Sequence, residues 1–205
     1  MLHDVLWGSN SELVRSCLAH PFVEALGEGT LKAELFRDYI AQDAFFLRAF
    51  AEVYGLALAR SSDPEIIACF SELIGGVQEE LKLHRVYAAE LGIDLERVTP
   101  NPACRTYTEF LVRTARHSSL AETVAALAPC MSLYAFLGKA LVPKCGPQHP
   151  YREWIETYSS DEFAQLANRL ESVLDRVGTD SREVRDAYRH ALECEHAFFS
   201  ASLAQ

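Results

Sequence analysis

A 3.6-residue hydrophobic period runs along almost the whole chain and constrains its fold more than any other feature. Apolar residues recur at three- and four-residue steps over the segments 9–19, 31–60, 64–91, 102–117, 120–142, 150–158, 160–177 and 181–204. No stretch alternates with period two for long enough to predict a strand. The pattern therefore predicts an all-α fold, and the length favours a single domain over residues 1–205, a bundle of about seven or eight helices.

Capping residues support several of the predicted helix ends. Side-chain caps, first-turn prolines and C-terminal glycines stand at the expected offsets, namely Asp63-Pro64, Ser119 with Glu122, Ser159 with Glu162, Gly92 and Gly178.

Charge and cysteine usage exclude several classes of protein. The formal net charge is -10 and no basic run occurs, so we expect neither nucleic acid nor an anionic membrane as partner. The first residues lack the pattern of a signal peptide, and the six cysteines are scattered without a Cys-x-x-Cys pair, which predicts reduced thiols in the cytoplasm and no metal site. The uncharged stretch 123–138 is short for a membrane span and contains Pro129, so it predicts a buried core helix.

Polar side chains interrupt three of the apolar stripes. Asp43 and Glu195 each lie in the middle of such a stripe, where an unpaired carboxylate is costly, and no Lys or Arg shares either stripe. Cys130 follows Pro129, which should kink its helix, and lies one turn from Tyr134. We expect the two acids to face one cavity from different helices, and Cys130 to be the one thiol in a polar setting that lowers its pKa.

Each of these features also has a purely structural explanation. A buried acid often ties two helices together through Tyr, Arg or backbone donors, and a buried Cys usually acts as a small hydrophobe. Tyr107 and Tyr158 are then core aromatics with satisfied hydroxyls. Taken together, the interruptions indicate a cavity between helices, but the pattern alone leaves its chemistry open.

An ordered series of short motifs runs through the chain. It comprises His20-Pro21-Phe22-Val23, Gly29-Thr30-Leu31, Tyr39-Ile40-Ala41-Gln42-Asp43 with Phe46-Leu47, Glu80 with Leu83-His84, Tyr107-Thr108-Glu109-Phe110-Leu111, Leu127-Ala128-Pro129-Cys130 with Leu133-Tyr134, Pro150-Tyr151 with Trp154-Ile155-Glu156-Thr157-Tyr158 and Asp161-Glu162-Phe163, and Glu195 with Phe198-Phe199. In order and spacing the series resembles the cysteine-containing branch of the TenA family, also called thiaminase II or aminopyrimidine aminohydrolase. The resemblance covers nearly the whole chain.

The resemblance implies a heme-oxygenase-like helical fold that binds no heme and needs no cofactor or metal, assembled as a homotetramer or dimer. It implies hydrolysis of 4-amino-5-aminomethyl-2-methylpyrimidine to the hydroxymethylpyrimidine, and of thiamin in many members, in thiamin salvage. It also implies that the partner of this chain is such a small molecule.

Residue roles follow from the same resemblance. Cys130 matches the family's nucleophile, and Asp43 and Glu195 match its pocket acids. The remaining substrate-binding positions are aromatic, namely Phe46, Phe50, Tyr107, Tyr134 and Tyr158. Glu195 would protonate a ring nitrogen, Asp43 would bind the exocyclic amino group, and the tyrosines would orient the thiol. Three departures leave the pocket's size and substrate preference open: Phe46 in place of Tyr, Met131-Ser132 in place of bulkier aromatics, and Phe199 in place of Trp.

Two other functions stay open at this point. A di-iron oxidase of the same fold is suggested by Glu80 with His84 and by the Glu193-to-His196 step, although Cys130 and Tyr134 occupy the place of a second ligand helix. A non-catalytic interaction protein is the third possibility, which the combination of Cys130, Asp43 and Glu195 disfavours.

Overall fold

The computed structural model describes residues 1–95 and 97–204, and these are helical with no strand. The prediction of an all-α fold is thereby confirmed. The helices are Leu2–Ser9 (α1), Ser11–Leu18 (α2), Pro21–Gly27 (α3), Ala33–Ala59 (α4), Pro64–Leu91 (α5), Pro102–His117 (α6), Leu120–Leu141 (α7), Arg152–Ser159 (α8), Asp161–Val177 (α9) and Arg182–Leu203 (α10), with a 3-10 turn at Val142–Lys144.

The N-terminal helices are more numerous than the sequence predicts. Helices α1 and α3 have eight and seven residues, which is too short for a hydrophobic period to be recognised. Local signals nevertheless define α3, because Pro21 occupies its first turn and the His20 ring accepts a hydrogen bond from the backbone N–H of Phe22.

Most of the predicted caps are present, including Gly178 at the C-cap of α9, and one is wrong. Asp63 caps α5, Ser119 and Glu122 form a reciprocal capping box on α7, and Gly92 ends α5 with a φ of 66°. Helix α9, however, is capped by Ser160 and not by Ser159. The backbone of Gly178 is extended, a conformation that any residue can adopt. There is no room for a side chain at this position, because a Cβ would lie 2.6 Å from the carbonyl oxygen of Leu174 and 2.6 Å from the Leu2 side chain.

Helix α7 is the centre of the bundle. Among the described helices it contacts α6, α8, α9 and α10, and it continues through Pro129 from Leu120 to Leu141. Within the described residues, α7 with the following 3-10 turn is also the one segment long and apolar enough to cross a membrane. Two thirds of its most apolar window is buried by protein, as predicted for a core helix.

Helices α4 and α5 form an antiparallel hairpin that closes at residues 60–63. Asp43 meets His84 near the open end of the hairpin, and Tyr54 meets Phe70 nearer the turn. One face of α4 therefore presents residues from Asp43 to Tyr54 along about 16 Å of helix. This face becomes a wall of the cavity described below.

Helices α7 and α8 approach each other at a glycine. A Cβ on Gly138 would lie 2.4 Å from the carbonyl carbon of Tyr158 and 2.6 Å from the backbone nitrogen of Ser159. Because both neighbours are backbone atoms, no side-chain rotation relieves that contact. Gly138 thus fixes the distance at which α8 presents Tyr158.

We expect Gly138→Ala to destabilise the protein by about 1–3 kcal/mol, because α8 must move away from α7. Gly75→Ala is the matched control, since Gly75 is an exposed residue within α5 and its Cβ would meet nothing within 4 Å. The control should be neutral or stabilise by up to about 1 kcal/mol. Chemical denaturation of the two variants measures the difference, and equal effects would contradict the close approach.

Candidate active site

A cavity of about 410 Å³ lies between α4, α5, α7, α8 and α9. Six of the predicted site residues are in its wall, namely Asp43, Phe46, Phe50, Cys130, Tyr134 and Tyr158. The rest of the wall is largely apolar and includes Leu47, Tyr54, Leu73, Val77, Glu80, Met131, Phe163 and Leu166. A mostly apolar pocket of this size with a few convergent polar groups is typical of a small-molecule site.

Glu195 and Tyr107 lie one layer behind the cavity wall. The Tyr107 hydroxyl donates a 2.8 Å hydrogen bond to Oε1 of Glu195, and the Cys130 thiol is hydrogen-bonded to the same carboxyl group. Burial raises the pKa of Glu195 to about 7, a value suited to both accepting and returning a proton. Glu195 is not among the residues that line the cavity, and it is connected to the cavity through its hydrogen bond with Cys130.

The prediction that Cys130 has a lowered pKa is also wrong. Burial raises the pKa of this thiol well above its usual value, and the neighbouring Glu195 raises it further. Of the six cysteines, Cys130 is nonetheless the one in the cavity wall. The polar setting is therefore present, but it does not ionise the thiol. It places beside the thiol a carboxyl group, that of Glu195, which can accept the thiol proton.

Asp43 has a partner that the sequence analysis did not identify. Its Oδ2 accepts a 2.8 Å hydrogen bond from Nε2 of His84, and Nδ1 of the same ring donates to the backbone carbonyl of Glu80 at 2.9 Å. Burial lowers the pKa of His84, but the hydrogen bond and charge of Asp43 outweigh it and raise that pKa to about 9. A buried ion pair therefore joins α4 to α5, and the Oδ1 atom of Asp43 accepts no hydrogen bond from the described residues.

Glu80 is a third acid of the site. It lies in the cavity wall and accepts a hydrogen bond from the Tyr158 hydroxyl. Burial raises its pKa to about 7, and the nearby charge of Asp43 contributes to the same shift. In the sequence, Glu80 was recognisable only as a motif residue and, with His84, as a candidate iron ligand. The hairpin would have revealed it, because a turn at residues 60–63 brings residue 43 within one helical turn of residues 80 and 84.

Aromatic residues in the cavity wall and behind it form a network around Tyr134. The Tyr39 hydroxyl contacts that of Tyr134 at 3.2 Å and accepts a hydrogen bond from Nε1 of Trp154 at 3.3 Å. The Tyr134 and Tyr158 rings meet edge to face with centroids 4.8 Å apart. This network holds Tyr134 in one orientation beside Cys130.

The ligand set proposed for a di-iron site does not assemble in the described residues. Glu80 and His84 are engaged by Tyr158 and Asp43, whereas the His196 ring lies against His20 with centroids 4.9 Å apart. Among the His, Cys, Asp and Glu side chains that the structure describes, no group of three is placed to hold a metal ion.

The Asp43–His84 ion pair should make the stability of the protein depend on pH. The pKa of His84 is about 9 in the folded protein and about 6.5 in an unfolded chain, so the stabilisation is complete below pH 6.5 and is lost as the pH rises through 9. We expect His84→Gln to remove about 1–3 kcal/mol of this pH-dependent stability and to flatten the curve of melting temperature between pH 6.5 and 9.5. His117→Gln, at an exposed position on α6, should keep the wild-type slope. Equal slopes in wild type and His84→Gln would contradict the ion pair.

Comparison with known proteins identifies relatives along most of the chain. The sequence profile of the TENA/THI-4/PQQC family matches residues 8–205. An aminopyrimidine aminohydrolase from Halalkalibacterium halodurans is 34% identical, over 80% of this chain and 77% of that protein. The aminopyrimidine aminohydrolase of Bacillus subtilis is 35% identical, over 80% of this chain and 71% of that protein. The mitochondrial bifunctional TH2 protein of Arabidopsis thaliana is 36% identical over 93% of this chain, which spans only 36% of that longer protein.

Solved structures agree with this assignment. A TenA family transcription regulator from Silicibacter sp. TM1040 is 26% identical and superposes with a TM-score of 0.93, covering 100% of this chain and 97% of its own. A domain with a heme oxygenase-like fold from Shewanella denitrificans, 16% identical, superposes with a TM-score of 0.72 over 99% of this chain and 92% of its own, which confirms the predicted fold type. The chain therefore belongs to the TENA/THI-4/PQQC family, as the resemblance in its motifs predicted.

Proposed function

We propose that this chain hydrolyses 4-amino-5-aminomethyl-2-methylpyrimidine to its hydroxymethyl counterpart in thiamin salvage, by covalent catalysis through Cys130. The enzyme class rests on relatives of 32–35% identity that are named aminopyrimidine aminohydrolase. The observation that carries the mechanism is the Tyr107–Glu195–Cys130 hydrogen-bonded series, which ends in the wall of the same cavity as Asp43.

The first step is addition of the thiol across a C=N bond of the pyrimidine. The Cys130 sulfur bonds to the ring carbon next to a ring nitrogen, its proton passes to Glu195, and Glu195 transfers that proton to the ring nitrogen. A carboxyl group with a pKa of about 7 serves for both transfers, and the Tyr107 hydrogen bond orients it. The high pKa of the thiol then requires that its proton leaves as the carbon–sulfur bond forms.

The second stage exchanges the amine for water. The amine leaves the exocyclic methylene of the adduct as ammonia, because the substrate carries it as an ammonium group. Water then adds to that carbon and loses a proton. The carbon–sulfur bond then breaks, and the ring nitrogen's proton returns to Cys130 through Glu195. One difficult displacement is thereby divided into easier steps.

Asp43 supplies ring recognition in this proposal. His84 occupies Oδ2, so Oδ1 can accept a hydrogen bond from the exocyclic amino group of the pyrimidine. The Phe46 and Phe50 rings, whose centroids are 4.9 Å apart, offer apolar contact to the pyrimidine ring. Asp43 and Glu80 also give this part of the cavity an acidic character, which suits a cationic aminomethyl group.

Thiamin carries the same aminopyrimidine with a cationic thiazolium as leaving group, so the same steps would cleave it. Assembly as a homotetramer or dimer stays a prediction of the family resemblance, and a location in the cytoplasm stays a prediction from the scattered cysteines.

Loss of the nucleophile is the direct test. We expect Cys130→Ser to reduce aminopyrimidine hydrolysis by about 1,000-fold or more, because a serine hydroxyl is a far poorer nucleophile toward the ring. Cys145→Ser is the control, since Cys145 lies beyond α7 and outside the cavity wall, and it should keep wild-type turnover. Ammonia release measured on folded protein separates the two variants, and near-normal turnover in Cys130→Ser would rule out the covalent mechanism.

Chelation tests the competing di-iron function. The proposed steps use only side chains and water, so hydrolysis should survive prolonged dialysis against a chelator with less than about a twofold loss. Activity that disappears on chelation and returns with iron or manganese would favour the oxidase.

A further inference from the structure

Tyr54 has a buried hydroxyl that no described residue satisfies. The residue lies on α4 and is only 1% exposed. Among the side chains that the structure describes, its Oη is the one buried nitrogen or oxygen atom without a hydrogen-bond partner. Buried hydroxyl groups in folded proteins almost always have partners, because an unpaired one costs free energy. Such an exception calls for a partner that the chain itself does not provide.

The surroundings of Tyr54 place it in the candidate active site. It is part of the wall of the cavity that holds Cys130 and Glu80. Its ring packs edge to face on Phe50, with centroids 4.9 Å apart, and that contact continues the row of rings that begins at Phe46. Side chains on a helix lean toward its N-terminus, so Tyr54 leans toward the part of α4 that carries Phe50 and Phe46.

The other polar groups of the wall leave a clear role for this hydroxyl. Asp43 is an acceptor, the Tyr158 proton is committed to Glu80, and the Cys130 proton is committed to Glu195. The Tyr134 hydroxyl is already engaged, as it accepts a hydrogen bond from the Tyr39 hydroxyl. Tyr54 by contrast brings an O–H group that no described acceptor uses. An aminopyrimidine has acceptors that match it, because its ring nitrogens carry lone pairs in the ring plane.

We propose that Tyr54 is a substrate-binding residue whose hydroxyl donates a hydrogen bond to an acceptor atom of the aminopyrimidine. This inference rests on the proposed function and adds to it a residue on the wall away from the Asp43–His84 pair.

Tyr54→Phe tests the inference, because it removes the hydroxyl and keeps the ring. We expect KM for the aminopyrimidine to rise about three- to tenfold with kcat within about twofold, as for a hydrogen bond made equally in ground and transition states. The dissociation constant of the hydroxymethylpyrimidine product, measured by calorimetry, should rise by a similar factor. The melting temperature should stay the same or rise, because no internal hydrogen bond is lost.

Tyr151→Phe is the matched control. The Tyr151 hydroxyl donates a 2.5 Å hydrogen bond to the backbone carbonyl of Leu31, outside the cavity wall. This variant should melt at a lower temperature than wild type and keep its KM, the opposite pattern to Tyr54→Phe.

Three results would overturn the inference. Unchanged KM and product affinity in Tyr54→Phe would show that the hydroxyl does not touch the ligand. A loss of melting temperature as large as in Tyr151→Phe would show that the hydroxyl has an internal partner. Absence of turnover in the wild-type protein would overturn the proposed function itself, and this inference with it, whereas wild-type turnover combined with either of the first two results rejects Tyr54 alone.

Discussion

Three carboxyl groups lie inside an apolar helical bundle, and each is held by a hydrogen bond from a different helix. Asp43 on α4 is held by His84 on α5, Glu80 on α5 by Tyr158 on α8, and Glu195 on α10 by Tyr107 on α6. Burial of a carboxylate without such a partner would cost several kcal/mol, so these bonds are conditions for the fold as well as features of the site. The helices that must meet to satisfy the acids are also the helices that surround or back the cavity.

This arrangement joins two explanations that the sequence left as alternatives. The acids do tie helices together, as a structural explanation requires, and they also border a small-molecule cavity. Burial raises the pKa values of Glu80 and Glu195 to about 7, so that the same desolvation that makes them costly gives them a useful proton affinity. Stability and chemistry therefore depend on the same few contacts.

Sequence reasoning was strongest for long periodic segments and weakest for contacts between them. Helix α5 has the predicted bounds, because caps and hydrophobic period agree there, and α6 has the bounds that its hydrophobic period predicts. Asp43, Cys130 and Glu195 stood out because each interrupts an apolar stripe. Tyr54 did not stand out, and His84 did so only in a motif and as a candidate iron ligand, because the partner of a His or Tyr on a helix is unknown until the opposite helix is known. The charge state of a thiol likewise depends on its burial and on the side chains around it. The sequence from Pro129 to Tyr134 does not reveal either of these for Cys130.

The protonated thiol of Cys130 has a consequence for the protein's durability. Thiolates, not thiols, react readily with peroxides and disulfides, so a cysteine of high pKa resists both. As the nucleophile of the proposed mechanism, Cys130 would ionise only when Glu195 removes its proton, and its thiol form would resist oxidation between encounters with substrate. In that mechanism the carboxyl group that activates Cys130 would also help to keep the thiol protonated when the site is empty.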